Sequence, residues 1–355
     1  MRKSRIRHPV GRPVHSVNSA GPPSPPKVRP PPMPLTLLAP TPGRWLWTCR
    51  ATFEGHLYEE LSWQGAEPRL LGPGLVESDE AKSAPVFARV GFPVARVVTA
   101  VSEVRLPSQG FHLQVWAPDT DLGNRLAPLA QTIESAIKLP PHALTDAATA
   151  LKHGALLCQV CLVDEQCWAV GEIRARDVLS LSPGGRHRMR REREAPSRAV
   201  MKFEEALDWL GVSPGKGEDC VDLGAAPGGW TQRLVVRGAK VLAIDPANLT
   251  EELERHPKVE HIKASAFAFE AEEPVEWLFC DMAWRPLEVA QLLGKWGRRR
   301  MATVLVANFK LPMNDKNAML WRIRHVLTEG SWEQIKMRQL YHDRDEVTVT
   351  AVVGK

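Results

Sequence analysis

Four charged residues in the carboxy-terminal half could together carry out acid–base chemistry: Lys202, Asp281, Lys310 and Glu346. Asp281 and Lys310 follow apolar runs that predict buried strands, Glu346 lies beside a predicted hairpin, and Lys202 lies on a predicted helix. Taken singly, a lysine after a strand is usually exposed and an aspartate there often caps a helix. Together they are expected to converge, because the carboxyl ends of parallel strands meet at one edge of an open sheet. A neutral lysine amine at that edge could take a proton from a hydroxyl.

A second stretch, D-L-G-A-A-P-G-G-W at residues 222–230, predicts a binding loop. An apolar strand precedes Gly224–Gly229, and the helical run Thr231–Val236 follows. A glycine turn lets the backbone approach a ligand, and a helix start offers free N–H groups, so we expect a nucleotide-like cofactor. The spacing matches neither the dinucleotide nor the triphosphate glycine motif. Asp245 ends the next predicted strand, roughly 20 residues past the loop, where a carboxylate can accept hydrogen bonds from ribose hydroxyls.

Residues 199–355 alternate helix and strand, which predicts an α/β fold with a doubly wound, Rossmann-like sheet. Val200–Leu210 is expected to be the first helix, and Trp332–Leu340 and Val347–Val353 are expected to form an antiparallel edge. Three runs are apolar enough to predict central strands: Val259–Lys263, Val275–Cys280 and Ala302–Ala307.

Residues 44–181 have the pattern of a smaller α+β domain, expected to serve binding or packing because no catalytic group of residues stands out. Helices are predicted at His56–Gln64 and over a stretch in which apolar residues recur at helical spacing: Leu122, Leu126, Leu129, Ile133 and Ile137. The predicted strands are Trp45–Cys49, Val97–Val104, Gly110–Ala117, and a hairpin of Ala155–Val163 with Cys167–Ile173.

Composition and charge narrow the class of protein. The chain has 355 residues, 44% of them hydrophobic, which suits two domains. A membrane-spanning helix needs about 18 consecutive apolar residues, and no apolar run in the sequence approaches that length. The sequence therefore excludes an integral membrane protein. The net charge is +5, and the basic residues concentrate in Arg2–Arg29 and Arg186–Arg198. This distribution suits either a polyanionic partner or solvated surface.

Two segments are expected to lie outside the folded domains. Residues 1–43 are rich in proline and predict a disordered or polyproline-like tail, although translation starting at Met33 would also explain the segment. Residues 182–198 form a basic linker, whose arginines are expected either to contact phosphate or to form a solvated hinge.

Six cysteines are scattered along the chain, and only Cys158-x-x-Cys161 has the spacing of a metal site. A single such pair inside an apolar run is weak evidence, so we expect free, buried thiols in a reducing cytoplasm and no metal, with zinc as the lesser alternative.

The loop at 222–230 resembles the S-adenosyl-L-methionine loop of FtsJ-type methyltransferases. The four charged residues follow the order of that family's Lys-Asp-Lys-Glu tetrad. Further strings make residues 195–350 similar to the RlmM-type bacterial 23S rRNA cytidine 2′-O-ribose methyltransferases, which carry an amino-terminal THUMP RNA-binding domain. Those strings are A-P-S-R at 195–198, K-F-E-E-A at 202–206, K-L-P-M at 310–313 and Q-L-Y-H-D-R-D-E-V-T-V at 339–349.

The resemblance implies a cytoplasmic, monomeric enzyme in which a THUMP-like region at 44–181 precedes a methyltransferase domain at 199–355. It implies transfer of a methyl group from S-adenosyl-L-methionine to a cytidine ribose in 23S rRNA. The same chemistry on another RNA, or a non-catalytic ribosome-assembly factor, stays open. Lys310 would be the general base, with Lys202 favouring its neutral form by like-charge repulsion, while Asp281 and Glu346 orient the amines and the hydroxyl.

The same resemblance implies the cofactor contacts. The methionine end would lie against the loop, the ribose at Asp245, and the methyl group near Asp281. The chain departs from the family at Ser265, where an acid near the adenine is usual, and at Ala199, where a serine is usual. The loop residues expected to contribute are Asp222, Gly224, Ala226, Pro227, Gly228, Gly229 and Trp230.

Overall fold

Two seven-stranded sheets make up the part of the chain that the computed structural model describes, residues 28–187 and 199–354. The elements of the first part are β1 (Trp45–Cys49), α1 (Glu54–Trp63), β2 (Arg69–Gly72), β3 (Leu75–Ser78), β4 (Ala88–Val98), β5 (Phe111–Trp116), α2 (Asp121–Ala136), α3 (Ala147–Lys152), β6 (Leu156–Asp164) and β7 (Cys167–Arg174). Those of the second part are α4 (Ala199–Leu210), β8 (Asp219–Leu223), α5 (Gly229–Val236), β9 (Lys240–Ile244), α6 (Glu251–Glu254), β10 (Val259–Ile262), β11 (Val275–Cys280), α7 (Pro286–Arg298), β12 (Ala302–Lys310), α8 (Lys316–Glu329), β13 (Trp332–Arg338) and β14 (Glu346–Val353).

The first sheet has the order β2-β3-β1-β4-β7-β6-β5, and its neighbours are antiparallel except for the parallel pair β5–β6. The predicted β6–β7 hairpin and the helix α2 are confirmed. The predicted strand Val97–Val104 is wrong: β4 ends at Val98, and a 3-10 turn follows at Val101–Glu103. Glu103 stops the strand, because its carboxylate accepts hydrogen bonds from the backbone N–H groups of Thr99 and Ala100.

The predicted tail is folded over its last residues. Leu38 N donates to Leu71 O at 2.9 Å, so this segment lies against the first sheet. Thr41 donates through its backbone N–H (2.8 Å) and its hydroxyl (3.1 Å) to the carboxylate of Glu77, which is buried and needs such partners. Of the two alternatives, disordered or polyproline-like, the disordered one is therefore wrong at the carboxy-terminal end of the tail, and residues 1–27 lie outside the described residues.

The second sheet has the order β10-β9-β8-β11-β12-β14-β13, parallel as far as β12 and antiparallel at β14 and β13. This confirms the Rossmann-like sheet with an antiparallel edge. Val259–Lys263 was predicted to be a central strand, but β10 lies at the edge. It pairs only with β9, and its residues are half-buried or exposed.

One apolar core continues from the first sheet into the second. It includes Phe53 and Phe87 from the first part of the chain and Leu305 and Ile323 from the second. At this junction α1 lies beside α8, where Asn317 Nδ2 donates to His56 O and to Glu59 Oε2, both at 2.8 Å.

The beginning of the predicted linker packs against the first domain. Arg186 donates to Pro118 O at 2.6 Å and lies 3.6 Å from the Asp119 carboxylate, with only 10% of its side chain exposed. Arg186 is therefore neither a solvated hinge residue nor an open phosphate contact. Residues 188–198 lie outside the described residues, so neither expectation is tested for them.

No helix within residues 28–187 or 199–354 is long and apolar enough to cross a bilayer.

Candidate active site

The loop between β8 and α5 can exist only with glycine at two positions. Gly224 has φ +81° and Gly228 has φ +114°, a region that other residues rarely adopt. A Cβ at Gly228 would lie 2.2 Å from Leu253 Cδ1, and one at Gly224 would lie 2.8 Å from Met282 Cγ. The loop therefore packs tightly against its neighbours while Pro227 is exposed at the carboxyl edge of the sheet.

Two of the predicted loop residues lie beneath the loop. Asp222 is 1% exposed and accepts a hydrogen bond from Thr231 Oγ1 at 2.7 Å. Its burial raises the pKa of its carboxyl from 3.8 to about 7. Trp230 is 3% exposed, and its Nε1 donates to Ala199 O at 3.0 Å. Both side chains support the loop from the core side, so the prediction that they contact a ligand applies only to their backbone atoms.

Asp245 follows β9 and connects the loop to the next turn. Its Oδ2 accepts from Ala226 N at 3.1 Å and its Oδ1 accepts from Ala247 N at 2.8 Å. Each carboxylate oxygen has a further lone pair, which leaves acceptor capacity for a hydroxyl. Ser265 is exposed after β10, and its hydroxyl oxygen accepts from Phe267 N at 3.3 Å. Both residues thus lie at the predicted edge.

The structure brings three elements of the predicted tetrad together. Lys202 Nζ on α4 lies 3.0 Å from Glu346 Oε1, and the two side chains are only 15% and 14% exposed. Lys310 is the last residue of β12 and pairs with Glu346, the first residue of β14. Lys310 is therefore part of the strand rather than following it, and its side chain is exposed.

Asp281 completes the group at the end of β11. Burial raises the pKa of its carboxyl, Lys202 and Lys310 lower it, and Glu346 raises it. For Glu346, burial acts to raise the pKa, but the Arg344 N–H and the Lys202 ammonium outweigh it, and the pKa is lowered. Both lysines are thus close enough to affect the pKa of both carboxyls.

Sequence reasoning missed Asn308 as a neighbour of this group. It is 1% exposed, its Oδ1 accepts from Thr348 Oγ1 at 3.0 Å, and its amide lies close enough to Asp281 to lower that residue's pKa. Asn308 and Lys310 are two residues apart on one strand and so share a face, and this spacing could have identified Asn308.

The Cys158-x-x-Cys161 pair cannot hold one metal ion. The two residues are an odd number apart on β6, so their side chains lie on opposite faces and join different apolar clusters. Burial raises the pKa of the Cys158 thiol to about 12. Among the described residues there is no cluster of three or more His, Cys, Asp or Glu that could bind a metal.

Comparison with known proteins agrees with this arrangement. Residues 195–301 match the FtsJ-like methyltransferase family. Ribosomal RNA large subunit methyltransferase M of Halorhodospira halophila is 34% identical over 335 residues, and the alignment covers 86% of this chain and 96% of that protein. The protein of the same name from Alkalilimnicola ehrlichii is 32% identical over 346 residues, covering 87% and 94%. The chain therefore belongs to the ribosomal RNA large subunit methyltransferase M family and is an S-adenosyl-L-methionine-dependent methyltransferase.

Proposed function

We propose that the protein methylates the ribose 2′-hydroxyl of a cytidine in 23S rRNA, using S-adenosyl-L-methionine as the methyl donor. The observation that carries this proposal is the group of Lys202, Asp281, Lys310 and Glu346 at the same sheet edge as the glycine loop. Two relatives that match most of the chain bear the name of a large-subunit rRNA methyltransferase, which supports rRNA as the substrate.

The residues at the loop fit this cofactor. Positive φ at Gly224 and Gly228 lets the chain turn tightly at the end of β8, which leaves Pro227 exposed at the edge where the cofactor would bind. The remaining lone pairs of Asp245 suit ribose hydroxyls. When bound, the cofactor supplies an electrophilic methyl group on a sulfonium, and the protein must supply alignment and a base.

Lys310 is the better base of the two lysines. Lys202 is held by Glu346 at 3.0 Å, whereas Lys310 is exposed at the end of β12, where a substrate ribose would approach. RNA that covers Lys310 would remove water from its amine, and desolvation disfavours the charged form of a lysine. The repulsion expected from Lys202 is reduced by its 3.0 Å ion pair with Glu346. Asp281, partly buried and close enough for both lysines to lower its pKa, would orient the amines and the hydroxyl.

The first domain is proposed to bind RNA as a THUMP-like region over residues 44–181, ahead of the linker at 182–198 and the methyltransferase domain at 199–355. The relatives' alignments support a shared arrangement, because each covers more than four-fifths of the chain. We propose that the protein acts as a cytoplasmic monomer. Light scattering of the purified protein would test the oligomeric state.

The test of the base uses Lys310→Ala and Lys310→Arg with labelled S-adenosyl-L-methionine and 23S rRNA. Both variants should lose on the order of 10²- to 10⁴-fold in methyl transfer, because alanine cannot accept the proton and arginine stays charged. Cofactor affinity, measured by calorimetry, should stay within about threefold, since the lysine only meets the hydroxyl. A Lys310→Ala enzyme that methylates at the wild-type rate would refute the assignment.

The test of the substrate is ribose-methylation mapping of rRNA from cells with and without the gene. Loss of a single cytidine mark in 23S rRNA is the expected result. Loss of a mark in tRNA would move the same chemistry to another RNA, and an unchanged map with defective ribosome assembly would indicate a non-catalytic factor.

A further inference from the structure

We propose that Glu205 is a positioning residue that sets the geometry of the Lys202–Glu346 pair by fixing α4 to the loop 339–345. The inference rests on the proposed function, because it assumes that this pair takes part in methyl transfer. Glu205 lies one helical turn after Lys202 on α4, and the loop leads directly into Glu346.

Glu205 is a buried carboxylate whose side-chain hydrogen bonds, within residues 28–187 and 199–354, go to the loop 339–345. Its side chain is 8% exposed. Oε1 accepts from Tyr341 N at 2.7 Å, and Oε2 accepts from His342 N at 3.0 Å. The His342 ring adds a third contact, between Nδ1 and Oε2, at 2.8 Å. Hydrogen bonds to an ionised acceptor are the stronger kind, so this contact joins helix and loop firmly.

The Lys202–Glu346 ion pair joins α4 to the first residue of β14, at 3.0 Å. Glu205 joins the same helix, one turn further on, to the loop that precedes that residue. The Glu205 contacts therefore help to set how close α4, and with it Lys202, lies to Glu346.

The opposite side of the loop is held by the first domain. Gln339 N donates to Val86 O at 2.8 Å, and the Arg89 guanidinium lies 5.0 Å from the centre of the Tyr341 ring. Arg50 Nη1 donates to Asp343 O at 3.5 Å, a long bond. The loop therefore lies between the first domain and α4, and Glu205 bonds its middle, Tyr341 and His342, to α4. The end of the loop is held separately, because Leu311 N donates to Asp345 O at 2.8 Å.

Substituting Glu205 would weaken the hydrogen bonds that join α4 to the loop. In Glu205→Gln the single amide oxygen can accept from one N–H, while the amide nitrogen faces the other N–H donor without accepting from it. Glu346 stays paired with Lys310 in the sheet, so we expect α4 and the middle of the loop to shift relative to each other, which moves Lys202 relative to Glu346. A displacement of about 1 Å among reacting groups can cost on the order of 100-fold in rate.

The experiment compares Glu205→Gln with Glu204→Gln in single-turnover methylation of 23S rRNA at saturating cofactor and RNA. Glu204 is the matched control: it precedes Glu205 on α4 and pairs with Arg233 and Arg237, away from the loop. We expect Glu205→Gln to lower the rate constant by about 10- to 100-fold, with cofactor affinity within about threefold. Glu204→Gln should keep the rate within about threefold even if both variants unfold at lower temperature.

A wild-type rate constant for Glu205→Gln, or an equal fall for Glu204→Gln, would overturn the inference. If Glu205→Gln does not fold, His342→Ala decides. It keeps both backbone hydrogen bonds to Glu205 and removes the ring contact with it, along with ring packing against Tyr341 and His187. The expected fall is about fivefold, and an unchanged rate overturns the inference. Lys310→Ala and Lys202→Ala are measured alongside: if neither lowers the rate, it is the proposed function that fails.

Discussion

Asp222 should make the protein less stable as the pH rises, and Asp222→Asn should remove that dependence. Burial raises the pKa of this carboxyl from 3.8 to about 7, so the folded protein holds a proton between these values that the unfolded chain releases. Stability therefore falls as the pH rises through this window and is constant above it. At about 1.4 kcal/mol per pH unit, the whole fall is at most about 4 kcal/mol. Asparagine keeps an oxygen for the Thr231 hydroxyl and carries no charge.

The assay is urea unfolding, followed by tryptophan fluorescence, of wild type and Asp222→Asn at about pH 4.5 and pH 8. We compare the free energy of unfolding of Asp222→Asn with that of wild type at each pH. Relative to wild type, the variant should be roughly 3 kcal/mol more favourable at the higher pH than at the lower pH. Asp219→Asn controls for loss of a charge, because Asp219 is exposed at the other end of β8; its effect should stay within about 0.5 kcal/mol. An equal difference for Asp222→Asn at both pH values would refute the reasoning from burial.

Three further predictions follow from the packing. Gly228→Ala should abolish cofactor binding in calorimetry, because the new Cβ would lie 2.2 Å from Leu253 Cδ1. The control Gly215→Ala should bind the cofactor normally, because its Cβ would meet only Glu218, at 3.7 Å. Cys158 and Cys161 should react with iodoacetamide only after unfolding, as read by mass spectrometry, because both thiols are fully buried; labelling of the native protein would contradict this. Asn317→Ala should lower the free energy of unfolding by about 1–3 kcal/mol in urea titration, because it removes both hydrogen bonds to α1; an unchanged midpoint would show that those bonds add nothing.

The sequence was enough to predict the glycine loop and the positions of Asp245 and Asp281, because these depend on local patterns and on where parallel strands end. It could not show which way the loop residues point. Asp222 lies on a strand that is buried on both faces, so no alternation of polar and apolar residues reveals the direction of its side chain.

Other features depended on contacts between distant parts of the chain. A short apolar run does not distinguish an edge strand from a central one, which is why β10 was misplaced. The contact of Glu205 with Tyr341 joins residues 136 positions apart, so no local pattern could show it. Both residues nevertheless lie in strings that carried the family resemblance.

The apolar core shared by the two sheets limits how this enzyme can work. Swinging one half away from the other would expose that core to water, which is costly. If the first half binds RNA as proposed, the span between its RNA-binding surface and the edge that carries Lys310 is held constant by this shared core. Under that proposal, a target nucleotide would have to lie at this distance from the bound RNA segment, or the RNA would have to bend to bring it there.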